Sequence, residues 1–314
     1  MVAPFIACPA VMAPVVLSRT ACAIRFLDAG IPKAGKLYHD PCPLCLHMEN
    51  GEVAYALTIA GSDSGGGAGI QADLKVFQAL GVWGLSVVTA VTAQNTREVR
   101  GIRVLDPGII TLQMQAISDE FPIGAIKTGM LADAATIRAV DAGLPTCIPL
   151  VVDPVMVSTS RHELMEKGAM SDLVELLLPR ATIVTPNTHE AERLSGAGPI
   201  RNLEGAHMAG IRILDLGPEY VLIKGGHMAG DEAADLLVSK EGEWVIATPR
   251  LPRTVHGAGC CYSAAICAHL ARGLTVQEAF SRSKSWMDRL IRSAISAPSG
   301  VSLLFPASFE RCRD

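Results

Sequence analysis

A chain of 314 residues that is 49% hydrophobic and only 18% charged carries enough apolar side chain for a large folded core, which excludes a disordered polymer. Its formal net charge of −4 leaves no basic field for holding nucleic acid or an anionic membrane surface. Nine cysteines, an odd number without framework spacing, fit a reducing compartment and mostly inert thiols, so the expected location is cytoplasmic.

The first fifty residues stand apart. Residues 1–27 hold no acid, two arginines (Arg19, Arg25) and prolines at 4, 9 and 14. The expectation is a disordered or non-native extension over residues 1–50, with Met48 a candidate start; mitochondrial or plastid targeting by residues 1–47 stays open. GIPKAGK, Gly30 to Lys36, imitates a phosphate-binding loop, but Leu37 replaces the hydroxyl residue that would hold magnesium. CPLC, Cys42 to Cys45, has no second ligand pair at finger spacing.

From residue 51 a single domain is expected, alternating strand and helix. VAYALTIAG reads as a buried strand, and GAGIQADLKVFQALG as an amphipathic helix closed by Gly81. LSVVTAVTAQ is the next strand, followed by PGIITLQMQAISDE, a helix with proline at its start. AIKTG, PLVVDPVM and ATIVTPN are short β-branched strands separated by helices near 133–143 and 169–178. YVLIK runs into Gly225 and Gly226, DLLVS and EWVIAT form a hairpin around Lys240–Gly242, and helices at about 259–271 and 275–296 close the chain. Such alternation implies an α/β fold with a mostly parallel central sheet and helices on both faces.

Ligands of such sheets gather beyond the carboxyl ends of the strands. Six of those ends carry polar or glycine-rich residues: Gly61 with the run to Gly67, Gln94-Asn95, Lys127 to Met130, Asp153 to Met156, Thr185 to Asn187, and Lys224 to His227. Glycines at 65, 66, 67 and 69 let backbone approach a flat ligand, and Asp73, a turn into the helix, is expected to face it; the plainer reading is a flexible turn with a surface carboxylate. Gln94 offers both a donor and an acceptor, which suits an aminopyrimidine edge, although a strand-end Gln is more often structural. Asp153 ends a strongly apolar strand, where a carboxylate needs a cation. Asn187 and Glu190 share a helix face and read either as a cap and its box partner or, with Asp153, as oxygen ligands for magnesium and phosphate. Lys224 reads as a phosphate clamp or as a solvated strand end.

VHGAGCC then has a context. A helix starting near residue 259 points the N–H groups of Gly257, Ala258, Gly259 and Cys260 toward the converging ends, where they would stabilise a transferred phosphoryl group. The same positive potential is expected to lower the Cys260 thiol pKa, while Cys261, about 100° around the helix, is expected to face packing.

The ordered set LTIAGSDSGGGAGIQADLK, TAQNT, IKTGML, VVDPVMV, VTPNTHEA, VLIKGGH and HGAGC resembles the hydroxymethylpyrimidine/phosphomethylpyrimidine kinases of thiamine synthesis, over roughly residues 54–296. This resemblance implies a ribokinase-like α/β/α fold without a lid domain, a homodimer, and small-molecule substrates. It implies ATP and Mg2+, and phosphorylation of the hydroxymethylpyrimidine and then of its monophosphate. Gly61, Asp73, Gln94, Met130 and Val155 would surround the pyrimidine, with Asn187, Lys224 and Asp153 at the phosphates and Glu190 and Asp153 at the metal. Cys260 occupies the position of the aspartate base in sugar-kinase relatives. The pattern departs from the family's at Ser160-Arg161-His162, where Ser-Gly is usual, at Ala258, where threonine is commoner, and in the tail from Ala297. A pyridoxal kinase is the nearest rival, and a non-catalytic pyrimidine-binding regulator the rival of another class.

Overall fold

The computed structural model describes residues 53–157, 162–166, 168–228, 230–253 and 255–306. The N-terminal extension, GIPKAGK, CPLC, and Ser160 with Arg161 lie outside the described residues.

β1 (Tyr55–Asp63) is followed by α1 (Gly69–Ala79) and β2 (Trp83–Gln94), which pairs parallel to β1. β3 (Val99–Val104) turns back antiparallel on β2 and forms one sheet edge. The sequence reading has no strand there, because VRGIRV interleaves charges and a glycine with its apolar residues and carries no buried run. An edge strand needs only one neighbour, so a weak apolar pattern suffices. Next come α2 (Pro107–Ser118), β4 (Ile123–Thr128), α3 (Ala134–Gly143) and β5 (Leu150–Val152). α4 (Ala169–Asp172) continues through a π turn at Leu173–Leu177 and a 3-10 turn at Leu178–Arg180, where Pro179 has no N–H to continue the ladder. β6 (Ile183–Val184), α5 (Thr188–Ser195), α6 (Leu203–Leu214) and β7 (Tyr220–Ile223) lead to the expected hairpin, β8 (Glu232–Ser239) and β9 (Gly242–Pro249).

The sheet order is β3-β2-β1-β4-β5-β6-β7-β8-β9, parallel from β2 to β7 with antiparallel edges. The two-residue period of the strands divides their side chains between two cores. Leu57, Ile59, Ile126, Val152, Val184 and Ile223 join Ile110, Ile137, Leu177 and Ile213 of α2 to α6 on one face. Ala56, Ala125, Val151, Ile183 and Leu222 meet Phe77 of α1 and the last two helices on the other. Those are α7 (Ala258–Ala271) and α8 (Val276–Arg292), the latter started by a Thr275–Glu278 capping box. α8 stops four residues before the expected end. The chain instead forms β11 (Ile295–Ser296) and β12 (Ser302–Leu303), and β12 lies parallel to β10 (Val255–His256), the lead-in to α7. This small second sheet was invisible as pattern, since two-residue strands have no period to read.

Candidate active site

The sheet's order reverses between β1 and β4, which leaves a crevice beyond the strand ends. A cleft of about 1110 Å³ lies there, and all six polar strand ends wall it, five of them through Gly61, Gln94, Lys127, Asp153 and Lys224. The sixth contributes Asn187, with Glu190 one turn further on. Met130, Val155, and Gly257 to Cys260 complete the set of expected residues present.

Asp73 is the exception. It is fully buried in α1 and is absent from the cleft wall; its Oδ2 accepts from Lys127 Nζ at 2.8 Å and from Thr58 Oγ1 at 2.7 Å. A carboxylate sealed from water needs a cation, and Lys127, itself fully buried, supplies it. The expectation that Asp73 faces the ligand is therefore corrected: Lys127 reaches the cleft and Asp73 stands behind it. Burial works against the Lys127 ammonium, but Asp73 foremost, with Cys260 and Asp153, outweighs it and holds its pKa above the ordinary value.

Asp153, beyond the end of β5, has three donors. Oδ1 accepts from Lys224 Nζ at 2.9 Å and from Thr185 Oγ1 at 3.2 Å, and Oδ2 from Ser263 Oγ of α7 at 3.0 Å. The need for a partner at this strand end is thus met from three elements. Lys224 is buried, so the solvated reading fails; burial lowers its pKa but Asp153 and Glu190 raise it further, and the ammonium stays charged. Gly225 N donates to Asp235 Oδ1 at 2.7 Å, and Lys284 Nζ holds the other oxygen of Asp235 at 2.7 Å. Arg250 binds the carbonyl oxygens of Gly226, Met228, Gly230 and Glu232, tying down the chain after Lys224. Neither Asp235, Lys284 nor Arg250 carries a motif at sequence level, because each acts across long chain separations.

Asn187 and Glu190 form a reciprocal capping box: Glu190 N donates to Asn187 Oδ1 at 3.0 Å, and Asn187 N to Glu190 Oε2 at 2.8 Å. The capping reading is seen directly, and it leaves both residues lining the cleft. Burial pushes the Glu190 carboxyl up to about 7, against the pull of Lys224. Among the described residues no group of three or more His, Cys, Asp or Glu gathers as a metal cage. Two buried carboxylates beside a lysine instead fit a cation that completes its shell with water and phosphate oxygens.

α7 begins as expected from VHGAGCC. Gly257 caps it at φ 75°, and no side chain satisfies the first N–H groups. A methyl group on Gly257 would collide with the carbonyl oxygen of Gly67, so only glycine brings the helix start this close to the loop after β1. A methyl group on Gly259 would stand 3.4 Å from Lys224 Nζ, which places the bare N–H groups beside the buried ammonium. The thiol expectation, however, is reversed. Burial pushes Cys260 up to about 11, and Asp153 and Asp73 add to it, outweighing Lys127 and a hydrogen bond from Gly69 N–H. Desolvation of a sulfur anion exceeds the half-charge of a helix end. Cys261 is buried among the second core's side chains, as expected of a packing residue.

A buried ammonium, two carboxylates and a bare helix start around one crevice are the fittings of phosphoryl transfer. The fold and this site together define a ribokinase-like small-molecule kinase. The phosphomethylpyrimidine kinase family model matches residues 63–304, and the chain belongs to that family. A thiamine biosynthesis bifunctional protein of Geobacter sulfurreducens is 45% identical over 76% of this chain, which spans only 49% of that longer protein. A hydroxymethylpyrimidine/phosphomethylpyrimidine kinase of Rhizobium meliloti is 44% identical, over 77% of this chain and 91% of its own. Bacillus subtilis pyridoxal kinase, solved as an ADP complex, superposes with a TM-score of 0.75 at 35% identity, covering 83% of this chain and all of its own.

Proposed function

We propose that the chain transfers the γ-phosphoryl group of ATP to the hydroxymethyl oxygen of 4-amino-5-hydroxymethyl-2-methylpyrimidine, and then phosphorylates the monophosphate to the pyrophosphate. The observation that carries this reading is the approach of the α7 start to the Lys224–Asp153 pair, with Cys260 on the same turn. Lys224 clamps the nucleotide phosphates, and Gly257 to Cys260 direct N–H groups at the moving phosphoryl oxygens, whose charge is greatest in the transition state. Asp153 and Glu190 would hold Mg2+, with Asn187 beside the phosphates; the metal supplies charge neutralisation across the transferred group. Gly61, Gln94, Met130 and Val155 form the pocket for the ring, where a methyl group on Gly61 would crowd Met130 Sδ at 3.1 Å.

A thiol at about 11 is protonated at neutral pH. In a loose transition state the acceptor hydroxyl keeps its proton until late, so little base strength is required of the sulfur. Cys260 then acts by orienting the hydroxyl as a neutral thiol, and the hydroxyl proton passes to a phosphoryl oxygen or to water as the new O–P bond forms.

The likeness to a pyridoxal kinase favours one second reading, phosphorylation of a hydroxymethylated pyridine. Mass spectrometry of products decides between them, with hydroxymethylpyrimidine, its monophosphate and pyridoxal each offered with MgATP, and a Cys260→Ala control. Pyrimidine mono- and pyrophosphate that fall at least tenfold in the variant are expected. Product from pyridoxal alone overturns the pyrimidine reading, and binding of pyrimidine without any product overturns the kinase reading.

A further inference from the structure

Asp63 ends β1 and is almost wholly covered, 3% exposed. Its carboxylate is the centre of the glycine loop. Oδ1 accepts from Gly65 N at 2.8 Å, and Oδ2 from Gly67 N at 3.1 Å and Ala68 N at 2.9 Å. This loop has the most backbone freedom to lose on ordering, and one carboxylate collects three of its N–H groups. A fourth ligand comes from 193 residues away: His256 Nε2 stands 3.1 Å from Oδ2. Burial favours the protonated carboxyl, but the bonds from His256, Gly65 and Ala68 outweigh it and hold the group below its ordinary pKa. An ionised carboxylate only accepts, so Nε2 carries the hydrogen.

The contact is also steric. A methyl group on Gly67 would collide with the imidazole of His256, and one on Gly257 with the Gly67 carbonyl oxygen. The segments His256-Gly257 and Gly67-Ala68 therefore interlock at backbone distance. Two residues further along, Gly69 N–H reaches the Cys260 sulfur. A shift of the loop moves the group that fixes the thiol, and a shift of His256 moves the helix that bears it.

We propose that Asp63 and His256 are positioning residues that pin the glycine loop against the start of α7, and so set where the Cys260 thiol and its neighbouring N–H groups stand relative to the acceptor hydroxyl. This rests on the phosphoryl-transfer reading above. Asp63 and His256 both line the cleft as well, and their path to the thiol runs through Gly69, Gly257 and Cys260. Loss of the pair acts on the chemical step while the nucleotide clamp at Lys224, held by Asp153 and by the Asp235–Lys284 pair, stays in place.

Steady-state kinetics of His256→Phe, His256→Gln, Asp63→Asn and the double variant Asp63→Asn/His256→Phe test it. Displacement of a reacting group by about 1 Å costs on the order of 100-fold, so His256→Phe should lose about 30- to 100-fold in kcat with the KM for ATP within twofold. His256→Gln keeps an N–H within reach of Asp63 and should recover at least fivefold of that loss. The double variant should be no slower than the slower single variant, because both remove one contact. A KM for ATP that rises in step with lost stability, a Gln variant no better than Phe, or multiplicative losses overturn the proposal. Backbone hydrogen exchange over residues 63–69 is read alongside, and about tenfold faster exchange in His256→Phe is expected. Wild-type protein that makes no phosphorylated pyrimidine refutes the reaction, and the exchange then decides the pin alone: unchanged exchange overturns it.

Discussion

The Lys127–Asp73 pair shows how much one side chain decides. Both are fully buried and 2.8 Å apart, a geometry that compensates charge without adding much net stability. Removing one partner strands the other. Lys127→Met should cost about 3–5 kcal/mol in urea unfolding, and the double variant Asp73→Asn/Lys127→Met should recover most of it while Asn keeps an acceptor for Thr58. A double variant as unstable as the single one would show that Lys127 matters for packing and not for charge. Cys260 gives a second prediction. With its pKa pushed to about 11, mass-resolved alkylation of this thiol should climb about tenfold per pH unit from 8 to 10, with exposed Cys147 as internal reference. A plateau near pH 7 would restore the sequence expectation of an activated thiolate. Twelve of the thirteen expected site residues wall the cleft; those at strand ends, Gly61 and Lys224 among them, are readable from where an apolar run stops, and Gly257 to Cys260 from the small residues that open α7. Asp73 was misread because helical phase within one turn depends on where the helix begins, and no cap residue marks the start at Gly69.

At the scale of the element, α7 is the instructive case. Ten of its residues are buried, and nothing in AGCCYSAAICAHLA marks a polar face. His269 sits in this helix with neither ring nitrogen bonded, and burial, then Arg272 and Arg282, bring its pKa down to about 4. The unfolded chain takes a proton near pH 6.5, where the folded one does not. Stability should therefore fall as pH drops from about 6.5 toward 4, by a total of about 3 kcal/mol, and flatten below. Thermal unfolding across that window should show the slope, and His269→Phe, of similar size, should remove this share of it. A variant whose slope matches the wild type would assign the acid loss elsewhere. The start of α7 was legible from Gly257 and the small residues after it. The end of α8 was not, because Ser293 to Ser296 differ little from a helix in composition while the pairing of β11 with β12 is a matter of contact.

Over the whole molecule, nine strands and two flanking helical layers bring together a site whose residues are spread from Gly61 to Cys260. A ligand that binds this assembled site and not the unfolded chain stabilises all of it. MgATP at about 100 times its Kd should raise the unfolding free energy by about 2.7 kcal/mol, and Lys224→Met should lose most of that increment while the free enzyme still unfolds cooperatively. An equal increment in the variant would place the nucleotide elsewhere. The amino-acid sequence by itself determined the α/β class, the parallel core strands and the strand ends that carry chemistry, since these follow from local periodicity and from where apolar runs break. The edge strand β3, the three-stranded sheet around β10, the partner of Asp73 and the direction of the Cys260 shift were decided only by tertiary structure. Each depends on what a distant segment places within a few ångströms, and on how completely that segment excludes water.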